Sequence, residues 1–322
     1  MNKIKIAAVV VTYNRLELLK ECIEALRNQS IKLDEIIVIN NDSADGTKEW
    51  LETQEDLTII TQENSGSSGG QYTGIKTAYE KGFDWIWSMD DDTEPLTNAL
   101  EGINKYVKDD IAAICPDVLN EKGERLIYHR GNIELNKIKS FVLQEPIKDS
   151  LLKKEVISIE FASFVGILIN RKAVDQIGLP NKFFFIHHDD VEYSLRLKKF
   201  GNILLIPKEI IIHKEVNNKN LIKRKFLWKI SYRPKFKNYW MSYFTFRNHF
   251  WLLTKYLKTK REIIGSLFND LNRESRRIIL YDDYKIWRLK LLAKAFFDAR
   301  NSNLEVNFDD IKKFLYEKSY RK

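Results

Sequence analysis

Cysteine is scarce in this chain, with Cys22 and Cys115 the only two among 322 residues. Both stand in apolar stretches without the spacing of a zinc site or a redox pair, which excludes a disulfide framework and points to a reducing compartment. Long apolar runs are missing as well. Nowhere do the roughly 18 uncharged apolar residues of a membrane-spanning helix occur together, so any membrane contact is expected to be peripheral. Lys3 and Lys5 ahead of residues 6–11 imitate an export signal, but that run is short and ends in Thr12-Tyr13-Asn14 without a small-residue cleavage site. A cytoplasmic location, with the cytoplasmic face of the membrane as an option, is the expectation. Internal repeats and low-complexity linkers are absent. The G-x-G-x-x-G of a dinucleotide site is absent from the first loop, and Gly74 is followed by Ile75 and Lys76 instead of the Lys and Ser/Thr of a P-loop, so hydride transfer and ATP hydrolysis lose ground.

What is present is enough apolar material for one large domain or a domain with an appendage: 44% hydrophobic beside 30% charged residues. The net charge of +8 hides a division. Residues 1–213 carry 26 basic and 34 acidic residues, and residues 214–322 carry 27 basic and 11 acidic. A basic second part suggests phosphate, an anionic membrane surface or nucleic acid.

Residues 4–11 form an apolar run of strand length, followed by Leu19, Cys22, Ile23 and Leu26 at helical spacing. Residues 36–39, 57–60 and 84–89 read as further strands and residues 70–81 as a helix. This alternation predicts an α/β fold, a mostly parallel sheet covered by helices on both faces, with ligands gathering at the carboxyl ends of the strands. Strand-like runs continue at 161–169, 183–186, 203–206 and 210–212. After His213 the chain becomes basic and aromatic, and Tyr281, Tyr284, Trp287, Leu291 and Ala295 trace one helical face. A catalytic domain over 1–215 and a helical, basic and aromatic region over 216–322 are predicted.

Asp90, Asp91 and Asp92 end the 84–89 strand. In extended backbone Asp90 and Asp92 share a side and Asp91 points away, and two hard oxygen ligands so placed suit Mg2+ or Mn2+ with positions open for phosphate oxygens. An acidic turn capping the next helix is the competing reading. Asn40, Asn41 and Asp42 offer donors and acceptors to a base and ribose, or else form an Asx turn. The stretch from Asn64 through Gly70 to Gly74 lets backbone approach a ligand at a helix start. Further on, His187-His188-Asp189-Asp190-Val191-Glu192-Tyr193 precedes Arg196. Glu192 and Arg196 are spaced to pair on a helix and fix the turn presenting Asp190, a carboxylate suited to general-base work. His213, at the end of an apolar run, can join the aspartates around a metal or serve as a structural histidine.

Taken in order, residues 10–15, 40–47, 89–92 and 189–196 resemble the motifs of glycosyltransferase family 2, over roughly residues 4–215. The resemblance implies a GT-A fold and transfer of a sugar from a nucleoside-diphosphate donor with a divalent cation, Mn2+ or Mg2+. It assigns Thr12, Asn14, Asn41 and Asp42 to the nucleotide, with Tyr13, Arg15, Asn40, Asn64, Gly70 and Asp91 counted on the same side of the site. Asp90 and Asp92 hold the metal and Asp190 is the base. The triple aspartate before Pro95 and the later His213 look most like bacterial galactofuranosyltransferases, with rhamnosyltransferases close behind; in the former a histidine at this place completes the metal site. Asn40-Asn41 stands where many members carry Asp, which leaves UDP- and dTDP-linked donors both open. A glycan or lipid-linked acceptor, and a homo-oligomer as an option, complete the expected partners, and nucleic acid is not among them. The rival from another class is a nucleic-acid-binding protein using Lys223-Arg224-Lys225 with Trp228, Tyr232 and Phe236, a reading that leaves the acidic strand ends unexplained.

Overall fold

The computed structural model describes residues 4–135, 141–214 and 221–316. The chain divides into two compact units, Met1–Ile133 with Gln144–Phe185 and Asp189–Glu215, and a second of Glu134–Leu143, Ile186–His188 and Val216–Lys322. Two short pieces of the first 215 residues are thus counted with the second unit.

In the first unit the strands are β1 (Ile6–Thr12), β2 (Glu35–Asn40), β3 (Leu57–Thr61), β4 (Trp85–Asp90), β5 (Thr93–Pro95), β6 (Ile111–Leu119), β7 (Arg130–Ile133), β8 (Gln144–Pro146), β9 (Ile157–Ile159), β10 (Phe161–Ala162), β11 (Ile167–Asn170) and β12 (Asn202–His213). The helices are α1 (Leu16–Arg27), α2 (Thr47–Leu51), α3 (Gly66–Glu80), α4 (Ala99–Asn104), α5 (Arg171–Ile177) and α6 (Asp189–Phe200). A nine-stranded sheet runs β3-β2-β1-β4-β11-β6-β12-β5, with β9 beside β12. From β3 to β4 it is parallel. Antiparallel β11 follows, and β6 and β12 pair in parallel. Alternation on β1 explains why its sequence is apolar throughout: Ala7, Val9 and Val11 pack with Ile75 and Ala78 of α3, while Ala8 and Val10 pack with Leu19, Cys22 and Ile23 of α1.

Several local expectations are corrected. The run at 183–186 is no strand; Lys182–Phe184 is a 3-10 turn capped by the Asn181 side chain. The run at 161–169 breaks into two strands around Gly166, which has φ +73 and whose missing Cβ would meet the Ile211 side chain at 2.0 Å. Residues 203–206 and 210–212 belong to one strand with a register shift between Ile206 and Ile210. Helix α3 begins at Gly66, four residues before its expected start, so the glycines lie within the helix.

The second unit holds an antiparallel hairpin, β13 (Leu221–Phe226) and β14 (Lys229–Pro234), and helices α7 (Trp240–Tyr256), α8 (Lys260–Tyr281), α9 (Lys285–Arg300) and α10 (Phe308–Tyr316). Helix α8 starts on a full capping box between Thr259 and Glu262. The expected helical face over 281–295 spans two helices: Tyr281 ends α8, Tyr284 takes a left-handed φ of 47 at the junction, and only Trp287, Leu291 and Ala295 share α9. Within this unit Asn248, fully buried on α7, donates to the carbonyls of Ile186 and His187 at 3.0 and 2.8 Å. Those bonds hold a segment in which His187 and His188 both have positive φ. Among the described residues no helix is long and apolar enough to cross a membrane.

Candidate active site

The carboxyl ends of β1, β2, β4 and β12 carry Thr12, Asn40, Asp90 and His213. Parallel pairing sets β1 and β4 in register up to Val11 opposite Asp90, and β12 ends with His213 paired to Thr93. The strand geometry stops at Asp90, and the chain turns at Asp91 and Asp92. That turn overrides the expected alternation: Asp91 is directed back toward the first loop instead of away. Its Oδ2 accepts from the Tyr13 N–H at 3.3 Å, and Arg15 reaches Asp91 at 3.2 Å and Asp92 at 2.5 Å. Asp91 therefore braces the first loop.

Asp92 is nearly buried, and its Oδ1 lies 3.1 Å from His213 Nε2 without the alignment of a hydrogen bond. Burial alone would raise the Asp92 pKa, but His213 and then Arg15 outweigh it and hold it below the usual carboxylate value. Asp90 differs. Burial, followed by the charges of Asp92 and Asp91, pushes its pKa up to about 7, although its surface keeps some contact with solvent. Gln71 of α3 donates to Asp90 Oδ1 at 3.2 Å and accepts from the Ser88 hydroxyl, which fixes the carboxylate from behind. Asp91 is raised to about 6, by burial set against Arg15.

Helix α6 supplies the other acidic group. Asp189 and Asp190 open its first turn, where the helix dipole favours negative charge. Arg196 clasps Glu192 through two bonds of 2.8 and 2.7 Å, the pairing expected from their spacing. Burial raises the Asp190 pKa to about 8, helped by Asp189 and by Asp90. Asp190 thus shares an electrostatic field with the β4 aspartates.

The residues expected around a nucleotide have intramolecular partners as well. Asn14, at φ 54, accepts from the Ala44 N–H at 2.7 Å and donates its own N–H to Ser43. Asn40 accepts from the Ser43 N–H three residues on, one residue further than in an Asx turn. Asn41 is buried, donating to the Gly66 carbonyl and accepting from Gln62. Asn64 accepts from the Gly66 N–H at the start of α3. A Cβ on Gly70 would meet Val11 at 2.4 Å, so this glycine permits close helix-to-strand packing. Thr12 is buried at the end of β1, Asp42 takes a left-handed φ of 60, and the Tyr13 ring is half exposed.

Three residues near this acidic centre are not apparent in the sequence pattern. The His129 ring packs edge-on against His213 at 4.9 Å, and its Nδ1 lies 2.9 Å from the Ser163 hydroxyl. Arg130, with no exposed surface, donates to the carbonyls of Pro116, His129 and Val165. A lone histidine between Tyr128 and Arg130 carries no local signal; only the tertiary fold brings it to His213. A broad, shallow concavity lined by Glu21, Trp50, Glu94 and Leu96 contains none of the expected site residues.

No cluster of three or more metal-binding side chains is preassembled among the described residues. The donor set nonetheless fits a divalent ion: Asp92 offers a buried oxygen without a hydrogen-bond partner, beside His213 and in the field of Asp90. Arg15 already sets positive charge against Asp91 and Asp92.

Comparison with known proteins bears on the family and the fold. Residues 7–178 match the model of glycosyl transferase family 2. Galactofuranosyltransferase GlfT1 of Mycolicibacterium smegmatis is 30% identical over 206 residues, covering 61% of this chain and 66% of the relative. The dTDP-rhamnosyl transferase RfbF of Shigella flexneri is 25% identical over 215 residues, covering 65% and 68%. The chain spans a little under two thirds of the length of the GlfT1 relatives. Among solved structures, GalNAc-T7 with UDP, GalNAc and Mn2+ superposes with a TM-score of 0.60 at 15% identity, over 97% of this chain and 58% of that one. S. aureus TarS 1-349 superposes with a TM-score of 0.57 at 11% identity, over 99% and 91%. At such identities these structures speak for the fold, a GT-A-type sheet with flanking helices. The chain belongs to glycosyl transferase family 2.

Proposed function

We propose that this protein is a metal-dependent, inverting glycosyltransferase that moves a hexose, galactofuranose or rhamnose, from a UDP- or dTDP-linked donor to a glycan or lipid-linked acceptor in cell-surface polysaccharide synthesis. The observation that carries the reading is the placement of Asp190 at the start of α6, where burial first, then Asp189 and more weakly Asp90 raise its pKa to about 8. A carboxylate so held is a stronger base than an exposed one, and general-base catalysis contributes about 10²–10⁴-fold. Galactofuranosyl and rhamnosyl transfer are favoured by the names of the relatives, GlfT1 and RfbF.

In this account Asp190 takes the proton of an acceptor hydroxyl. The hydroxyl oxygen forms a bond to the anomeric carbon on the face opposite the diphosphate, the bond to the diphosphate oxygen breaks, and the configuration inverts. Asp90, Asp92 and His213 would hold the divalent ion, which when bound supplies charge neutralisation to the leaving diphosphate. Gln71 keeps Asp90 in place, and Arg15 exchanges its aspartate partners for phosphate oxygens. Tyr13, half exposed at the end of β1, offers its ring to the nucleobase, with Asn14, Asn40, Asn41 and Asp42 alongside.

A donor screen tests the proposal: release of nucleoside diphosphate is measured with Mn2+ or Mg2+ across UDP- and dTDP-linked hexoses in the presence of lipid-linked acceptors. Turnover of UDP-galactofuranose or dTDP-rhamnose, abolished by chelator and restored by either ion, is expected. Equal turnover in chelator would overturn the role of the ion, and turnover of neither donor would overturn the choice of sugar.

A further inference from the structure

The β13–β14 hairpin has two different faces. Pairing runs Lys223 opposite Tyr232, Arg224 opposite Ser231, Lys225 opposite Ile230 and Phe226 opposite Lys229. One face is anchored. Arg233 is buried with Asp282 at 2.8 and 2.5 Å and Glu274 at 2.7 Å, Arg224 pairs with Asp283, and Phe226 lies against the Tyr281 ring. These contacts fix the hairpin to the end of α8, so its presentation is rigid. The other face, with Leu221, Lys223, Lys225, Ile230 and Tyr232, is exposed.

The tip is the more unusual part. Phe226 and Lys229 are the last pair, leaving Leu227-Trp228 as a two-residue turn. Leu227 is 64% and Trp228 79% exposed, the latter the highest value among the exposed large hydrophobic residues. Leu227 also takes a φ of 53, a conformation that such turns normally give to glycine or asparagine. A leucine here is costly for the backbone and gains no burial within the unit. Strain combined with exposure points to a use outside the folded chain. The segment 221–234 contains five basic and no acidic residues.

We infer that this hairpin docks the protein on an anionic lipid surface, with Leu227 and Trp228 inserted at the polar-apolar boundary and Lys223 and Lys225 of the exposed face set against lipid headgroups. Tryptophan favours that boundary, and basic side chains add attraction to an anionic leaflet. Two other occupants fit less well. A nucleic acid could stack on Trp228 and Tyr232 but would leave the exposed Leu221, Leu227 and Ile230 in water, with no flat face for a base. A second copy related by two-fold symmetry would set lysine against lysine. The inference bears on the proposed function only by bringing the enzyme to a lipid-linked acceptor, and lipid binding can be measured without turnover.

The experiment uses the full chain with vesicles of phosphatidylcholine alone or mixed with phosphatidylglycerol. Wild-type protein is expected to sediment with the anionic vesicles at low salt, to be released by salt, and to show a blue-shifted tryptophan emission lost in Trp228→Phe. Lys223→Gln and Lys225→Gln are expected to weaken binding about fivefold each, and Leu227→Ser with Trp228→Ser by about tenfold or more. Thermal unfolding, and nucleoside diphosphate release with a water-soluble acceptor, are expected to be unchanged in the tip variant, which separates this inference from the assignment of the active site. Equal binding to neutral and anionic vesicles, or tight binding by the tip variant, would overturn the inference. So would concentration-dependent self-association, or binding of a single-stranded oligonucleotide, that the tip substitutions abolish.

Discussion

In the C-terminal unit Arg233 is buried between Asp282 and Glu274, Arg288 bonds Asp283, and His249 bonds Asp270, which also pairs with Arg273. In the N-terminal unit Asp90, Asp91, Asp92, Asp189 and Asp190 crowd together around one guanidinium, Arg15, and the imidazole of His213. The first pattern is closed, because each buried charge meets its opposite. The second is left with excess negative charge, which adds to burial in raising the pKa values of Asp90 and Asp190. Closed networks hold a fold, whereas an unbalanced cluster costs stability that only a bound cation or a proton can recover. The comparison thus separates residues that serve structure from those that serve chemistry.

The largest effect is expected from opening the closed network. Arg233→Met leaves Asp282 and Glu274 without their cation and is expected to cost about 3–5 kcal/mol, read as a lower denaturant midpoint. A loss under about 1 kcal/mol would show that the network contributes little. The opposite sign is expected in the other unit. Asp90→Asn relieves repulsion and is expected to raise the stability of the metal-free protein by roughly 1–2 kcal/mol at pH 8 while abolishing turnover. A less stable, fully active variant would remove Asp90 from the site.

The pH dependence sharpens the same contrast. Carboxylates raised on folding add stability that is complete below their unfolded pKa, about 4, and is lost as pH rises through the folded values of about 7 for Asp90 and 8 for Asp190. The unfolding temperature of metal-free protein should therefore fall by several degrees between pH 6 and pH 9. Asp190→Asn should flatten that fall, and Mn2+ should offset it; a flat wild-type profile would contradict the shifts. The smallest effect belongs to Arg15→Ala. This partly exposed cation is expected to change stability by no more than about 1 kcal/mol, and a larger loss in calorimetry would make Arg15 a structural residue instead.

The acidic centre was legible because its residues stand at strand ends, where apolar runs β1, β4 and β12 stop abruptly at Thr12, Asp90 and His213. The helical pairing of Glu192 with Arg196 was legible from spacing alone. Asp91 was misplaced because strand alternation applies only until the chain turns, and the turn begins at that residue. The helix expected from Gly70 begins four residues earlier, and at Gly66 and Gly70 the close approaches of Phe185 and Val11 leave no room for a side chain. Phe183 to Ile186 has strand composition but lies in a 3-10 turn followed by left-handed residues, a geometry held by tertiary bonds from Asn248. His129 and the Arg233 network lie far from their partners in the sequence, with no periodic pattern to announce them.

The central claim is that Asp190 is the base of a sugar transfer whose donor is held elsewhere in the site. Its most direct measurement pairs calorimetric donor binding with single-turnover release of nucleoside diphosphate for the wild type and Asp190→Asn, both with Mn2+. The account predicts donor binding within about threefold of wild type and a rate lower by at least about 10²-fold. A variant that turns over at the wild-type rate, or an Asp189→Asn variant that is inactive while Asp190→Asn is not, would contradict it.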